Sequence, residues 1–307
     1  MTREQRLKNL EVPCGPIDVV LDTDTFNEAD DQFAVTYLLS CREKLNTKAL
    51  YAAPFHNANS EGPADGMERS YAELHHLLGL LGESYPVFRG ATAFLTDEKT
   101  PSPSAAAADL AERAMAYSPE HPLYVVAIGA ITNIASAILL NPAITENIVV
   151  VWLGGHALHF HDTREFNMRQ DIAAARVVMS SGAPLVQLPC RGVVSSLTLS
   201  KAELDLWLKG KGPLADYLVG NTYRYIERFE KPDNIWTRPI WDIAPLGWLM
   251  NDGGRFMEMR TVPLHLPTYD NLYAAVPNGE PIGYVYYIYR DELITDMIRR
   301  ILKRVEA

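Results

Sequence analysis

The 307-residue chain has only three cysteines, Cys14, Cys41 and Cys190, with no Cys-x-x-Cys and no Cys/His cluster at zinc spacing. A disulfide scaffold and a structural zinc site are therefore excluded, and a reducing, cytoplasmic setting is expected. Basic residues are scarce. Lys and Arg number 28 against 38 Asp and Glu, a net charge of −10 whose field repels a phosphate backbone, so nucleic acid is not expected as a partner. Long apolar runs are missing too. The longest uncharged stretch, Pro122 to Ala143, is interrupted by Gly129, Thr132, Asn133 and Ser136, and reads as a strand, a turn and a helix rather than a membrane span. The amino-terminal MTREQRLKNLEVPCGP scatters charge where a signal peptide needs an apolar segment, so export by that route is not expected. What the chain does have is 48% hydrophobic and 21% charged residues, enough to bury a large core. One domain over residues 1–307 is expected.

Short β-branched runs alternate with segments of helical spacing. Ile17–Leu21 predicts a buried strand, and Asp31–Ser40 a helix with acidic residues at the positive end of its dipole. Ala49–Ala53, Leu123–Ile128, Ile148–Leu153 and Leu185–Leu188 read as further strands, and Met67–Leu81, Asn133–Leu140 and Ile172–Met179 as helices. The alternation predicts an α/β fold with a mostly parallel, Rossmann-like central sheet flanked by helices, its ligand site outside the strands' carboxyl ends. Ala91–Ala108 reads as a surface loop running into a helix. Residues 204–239 turn helical and aromatic, as an added layer near the mouth of the site would. Gly283–Tyr289 reads as a strand and Asp291–Lys303 as a closing amphipathic helix.

The first strand runs into Asp22-Thr23-Asp24-Thr25-Phe26-Asn27-Glu28-Ala29-Asp30-Asp31. Carboxylates so crowded between a buried strand and a helix repel one another unless a cation is held there. Hard oxygen donors suit calcium or magnesium, not zinc. A solvated acidic loop is the plain alternative, weakened by the position at a strand's carboxyl end. An EF-hand starting at Asp22 fails, because Asn27 and Phe33 stand where Gly and Glu are needed. A haloacid-dehalogenase-type phosphatase would use Asp22 as nucleophile and Asp24 as acid/base, but it leaves Asp30 and Asp31 unexplained and puts Phe26 where Thr or Val is expected.

Strand, Asp-x-Asp, loop, Asp-Asp, helix resembles the signature of the calcium-dependent nucleoside hydrolases of the inosine/uridine-preferring type. Four further blocks follow in the family's order. Ala127 to Ala135 (AIGAITNIA) resembles the strand-to-helix segment ending in Leu-Thr-Asn-Ile-Ala, and Trp152-Leu153-Gly154-Gly155 resembles the Met-Gly-Gly turn. Glu165-Phe166-Asn167, with Asp171 and Ala173-Ala174 behind it, matches the Glu-Phe-Asn block, and Trp241-Asp242-Ile243-Ala244 stands where the family has His-Asp-Pro. The resemblance implies hydrolysis of ribonucleosides to ribose and free base, a calcium-bound water attacking an oxocarbenium-like C1′. It implies calcium held by Asp24, Asp31, Asp242 and the Ile128 carbonyl, with Asp24 also taking the water's proton. Asp30 would hold the ribose 2′-hydroxyl, and Glu165 and Asn167 the far side of the sugar. A homodimer or homotetramer is implied as well. Asp22 reads as a supporting residue.

The chain departs from the family in four places. Its Asp24–Asp30 spacing is two residues longer, so that either Asn27 and Glu28 face the substrate or the loop bulges to solvent. The family's Asn after the second strand has two candidates, Asn57, which is preferred, and Asn59. His159 stands for a sugar-binding Asn. Trp241 replaces the His that serves the leaving base, so stacking, or an acid such as His56, His159 or His161, must act instead. A ribose-binding protein of the same fold without turnover is the remaining alternative.

Overall fold

The structure, a computed structural model, describes residues 1–229, 231 and 234–305. After a short helix α1 (Arg3–Lys8), the chain alternates strand and helix: β1 (Ile17–Thr23), α2 (Asp31–Ser40), β2 (Leu45–Ala52), α3 (Pro63–Leu81), β3 (Val87–Arg89), α4 (Ala105–Arg113), β4 (Leu123–Ala127), α5 (Thr132–Leu140) and β5 (Ile148–Leu153). Helices α6 (Phe166–Gln170) and α7 (Ile172–Ser180) lead to β6 (Leu185–Leu188). A less regular part follows, with β7 (Thr198–Ser200), α8 (Lys201–Trp207), α9 (Pro213–Ile226), β8 (Thr237–Pro239) and α10 (Ile243–Leu249). The chain finishes on β9 (Met257–Val262), β10 (His265–Pro267), β11 (Tyr273–Ala275), β12 (Ile282–Ile288) and α11 (Arg290–Val305).

Eight strands form one sheet in the order β3-β2-β1-β4-β5-β6-β12-β9, parallel throughout except where β9 runs against β12. Side-chain alternation on the central strand gives the sheet its two cores. Val19 and Leu21 face one buried cluster with Phe33 and Leu38 of α2, while Val20 faces the other with Val125, Ile134 and Trp152. Strand order turns back at β1. The chain builds outward through β2 and β3, then crosses to β4 on the other side, which leaves a crevice at the carboxyl ends of β1 and β4.

The expected strands and helices are present, most with ends moved by a few residues. Leu45–Asn46–Thr47–Lys48, a run with polar residues, begins β2 well before the apolar stretch at Ala49, because backbone pairing with β1 starts at Leu45. Strands β9 to β11 carry no clean alternation and were not foreseen; β9 is a half-exposed edge strand. Of the aromatic segment 204–239, Glu230, Pro232 and Asp233 lie outside the described residues. Its two helices are followed by β8, which pairs with β7 and carries Arg238 to the crevice.

Candidate functional site

A cavity of about 310 Å³ opens at the crevice, lined by residues that include Asn27, Glu28, Asp30, Ile128, Leu153, His156, Glu165, Asn167, Trp241 and Asp242. Its floor is acidic because two helix starts meet there. Asp30 and Asp31 open α2, Asp242 opens α10, and the two helices pack against one another. Both dipoles present their positive ends to these carboxylates. One oxygen from each of Asp30, Asp31 and Asp242 lies within 4.8 Å of the others.

Asp24 is not among the lining residues, but its carboxyl feels the charges of Asp31, Glu28 and Asp30. It is 1% exposed, and neither carboxylate oxygen has a hydrogen-bond partner. Gly129 makes room for it, since a Cβ there would stand 3.2 Å from Asp24 Oδ1. Burial, then the charges of Asp31, Glu28 and Asp30, push the Asp24 carboxyl well above its ordinary range. Burial raises Asp31 to about 7, with the Asp30 charge adding and the 2.6 Å bond from Thr23 Oγ1 opposing. Asp242 moves the same way, through burial and then the charges of Asp30, Asp31 and Asp24. Such a cluster is favourable only when protonated or when a cation lies among the oxygens. The donors are all hard oxygens and two of them lack partners, so the residues fit a divalent ion such as calcium.

Asp22 has a supporting position. Asn133 Nδ2 donates to its Oδ1 at 2.7 Å, and burial raises its carboxyl to about 7. Ile128 lines the cavity, and its carbonyl already accepts from Asn167 Nδ2 at 3.0 Å, which also donates to the Leu153 carbonyl at 3.0 Å; one Ile128 lone pair remains. Glu165 caps α6, accepting from the Asn167, Met168 and Gly155 amides at 2.8 to 2.9 Å. Burial still raises its carboxyl to about 7. Trp241 lines the cavity, and its backbone amide donates to Asp30 Oδ2 at 3.0 Å.

Two of the residues expected at the sugar, Asn57 and His159, stand back from this cavity. Asn57 is not among the lining residues. Its side chain donates to Asn27 Oδ1 at 2.5 Å and accepts from the Asn59 amide at 2.7 Å, so it holds the long acidic loop in place, and Asn27 faces the cavity instead. His159 is exposed and rests against Phe160, with ring centroids 5.1 Å apart, because the turn before it brings His156 to the cavity. His56 and His161 are exposed and lie outside the lining as well. The two extra loop residues divide the alternatives: Phe26 is 39% exposed, whereas Asn27 and Glu28 turn inward.

Sequence reasoning missed Arg238. Its guanidinium pairs with Glu28, lies 3.3 Å from Asp30 Oδ1, and stacks on Tyr225 at 4.5 Å, while Tyr225 also donates to Glu28 at 2.9 Å. Burial raises the Asp30 carboxyl, and the Arg238 charge pulls it back, leaving it at about 6. The only signal was an arginine among the aromatic residues of a segment already placed near the mouth. His156, Arg164, Arg169 and Arg191, which also line the cavity, had none.

The family profile described as "Inosine-uridine preferring nucleoside hydrolase" matches residues 19–279. The pyrimidine-specific ribonucleoside hydrolase RihB of Escherichia coli (strain K12 / DH10B) is 30% identical over 139 residues, 44% of this chain and 44% of that protein. The chain spans about half the length of the curated relatives it matches, between 44% and 57%. A purine-preferring ribonucleoside hydrolase from Gardnerella vaginalis superposes with a TM-score of 0.77 at 19% identity, over 94% of this chain and 99% of that one. An inosine-uridine preferring nucleoside hydrolase from Bacillus anthracis gives 0.68 at 16% identity, over 94% and 99%. At these identities the superpositions speak to the fold.

Proposed function

The chain belongs to the inosine-uridine preferring nucleoside hydrolase family, and from that premise we propose that it hydrolyses the N-glycosidic bond of ribonucleosides to ribose and free base, with one calcium ion in the acidic floor. The observation that carries the reading is Asp24, a fully buried carboxylate with no partner for either oxygen, which interacts with the charges of Asp31 and Asp30 from the Asp30, Asp31 and Asp242 group. Asp24, Asp31, Asp242 and the free lone pair of the Ile128 carbonyl would hold the ion. When bound, calcium offsets the carboxylate charge and orients and acidifies a water.

The chain's own groups do the rest. C1′ gains positive charge as the bond to the base stretches, and the anionic floor favours that state over the neutral substrate. Asp24 takes the proton of the incoming water; a weak base suffices because C1′ is already electron-poor. Asp30 accepts from the 2′-hydroxyl, its carboxylate held in place by Arg238 and the Trp241 amide. The Trp241 ring is the flat surface offered to the base. Among the described histidines only His156 lines the cavity, and burial followed by the Arg191 charge lowers its pKa. A standing imidazolium acid for the leaving base is thereby disfavoured, which leaves stacking and solvent as the aids to departure.

Reducing-sugar release from a panel of ribonucleosides and their 2′-deoxy counterparts tests the reading. Turnover of the ribonucleosides with at least ~10²-fold loss on the deoxy forms is expected. Equal turnover of both, or none of either, would contradict it. Cytoplasmic location, a role in purine salvage and assembly into a homodimer or homotetramer belong to the same reading. No helix among the described residues is long and apolar enough to cross a membrane.

A further inference from the structure

Many of the chain's arginines are engaged by carboxylates: Arg113 by Asp109, Arg176 by Glu98, Arg290 by Glu203 and Asp291, Arg300 by Asp296 and Glu43. At the cavity the pattern breaks. Arg164, Arg169 and Arg191 all line it, and among the described residues none of the three has a carboxylate within 4.0 Å or any side-chain hydrogen bond. Arg238, which also lines it, is already taken up by Glu28 and Asp30. The lining thus combines acidic residues with three arginines that have no carboxylate partner, in a protein whose net charge is −10.

The three arginines come from two separate segments of the chain. Arg164 directly precedes Glu165; Arg169 lies in α6, its guanidinium 5.3 Å from the Phe166 ring centroid. Arg191 follows β6, and its backbone amide approaches His156 Nδ1 at 3.4 Å. Their charges are felt in the cavity: burial raises Glu165 and Arg169 weakly opposes that rise, while burial lowers His156 and the Arg191 charge adds to it. A neutral ribose has no group that calls for unpaired guanidinium. A phosphate does, since its oxygens match the planar donor fork and attract its charge.

We propose that these arginines bind a phosphate ester on the 5′ carbon of the sugar, so that the preferred substrate is a ribonucleoside 5′-monophosphate. The assignment rests on the hydrolase reading above, which puts Glu165 and Asn167 at the side of the sugar away from the acidic floor; Arg164 and Arg169 flank those two residues along the chain. The reaction is otherwise the same. The C1′–N bond breaks with its electron pair leaving on the base, water gives its hydroxyl to C1′ and its proton to the base, and the phosphate ester is untouched. The products are ribose 5-phosphate and the free base.

Base release is measured for inosine, uridine, their 5′-monophosphates and orotidine, a nucleoside with an anionic base. The 5′-monophosphates are expected to exceed their parents in kcat/KM by about tenfold or more, the factor of one charge-assisted hydrogen bond. The double variant Arg169→Gln/Arg191→Gln should bring that ratio toward one, and Arg169→Lys/Arg191→Lys should keep part of it. All three arginines are exposed, and melting curves check that the variants fold. Parent nucleosides turned over as well as the phosphates, or a ratio unmoved in the Gln variant, overturns the proposal. A preference for orotidine overturns the 5′ placement. If nothing is turned over, the hydrolase reading fails instead, and calorimetric titration with uridine and its 5′-monophosphate decides the anion site: equal binding of the two overturns it, tighter binding of the phosphate lost in the Gln variant upholds it.

Discussion

Asp24, Asp30, Asp31 and Asp242, the acidic cluster at and behind the cavity, are at most 5% exposed, whereas Arg164, Arg169 and Arg191 of its lining are exposed to solvent. Burial makes the floor expensive to charge: its carboxyls are pushed upward, and removing or adding one charge changes the balance of the whole group. The arginines are exposed and screened by salt, so they select rather than assemble. Within one cavity, then, buried like charges create a demand for a cation, and exposed unpaired charges of the other sign create an attraction for an anion.

The largest effect should come from the floor. Asp24→Ala is expected to lower turnover by about 10³-fold and to abolish stabilisation by calcium; activity within tenfold of the parent protein would show that the floor is not where the reaction occurs. Next is Arg238, which belongs to neither group because it neutralises part of the floor. Arg238→Ala leaves Glu28 and Asp30 without their cation and should cost about 3 kcal/mol in urea denaturation, part of it recovered in Arg238→Ala/Glu28→Gln. A loss under about 1 kcal/mol would mean that the pair is as solvated as the exposed arginines.

The pH dependence of stability separates the two groups further. Asp30, Asp31 and Asp22 are raised from 3.8 to about 6, 7 and 7, and Glu165 from 4.5 to about 7. Between pH 4 and 7 the folded state therefore binds more protons than the unfolded chain. Stability without metal is fully present below about pH 4 and declines as pH rises toward 7. The melting temperature of the metal-free protein should fall by several degrees from pH 5 to 8, and calcium should restore more at pH 8 than at pH 5; a flat metal-free profile would contradict the assigned burial. Asn57→Ala should cost about 1 kcal/mol through the loosened acidic loop, with KM changed less than stability. The smallest effect is salt. Raising ionic strength from about 0.05 to 0.5 M should reduce any preference for a 5′-phosphate while leaving calcium-dependent stabilisation nearly unchanged.

The same contrast governs what was legible in the sequence. The floor was readable because Asp22, Asp24, Asp30 and Asp31 lie in one contiguous turn between a β-branched run and a helical one, a place that α/β topology reserves for ligands. Asp242 became readable only through the family resemblance, since nothing local marks it. The arginines were not readable: Arg164, Arg169, Arg191 and Arg238 are spread over separate loops and β8, and each alone is an ordinary surface residue until the fold collects them. Asn57 and His159 show how loop residues matched by order along the chain shift in space. Asn27, held by Asn57, lines the cavity, and the Gly154–Gly155 turn, with Gly155 at φ +75°, is followed by His156, which lines it where His159 does not.

The acidic floor is tested most directly as a calcium site for glycosidic cleavage in protein freed of metal with a chelator and then titrated with calcium, followed by reducing-sugar release from uridine and its 5′-monophosphate. No release is expected from the metal-free protein, with recovery that saturates as calcium is added; undiminished release from a verified metal-free preparation would rule out a calcium-dependent floor.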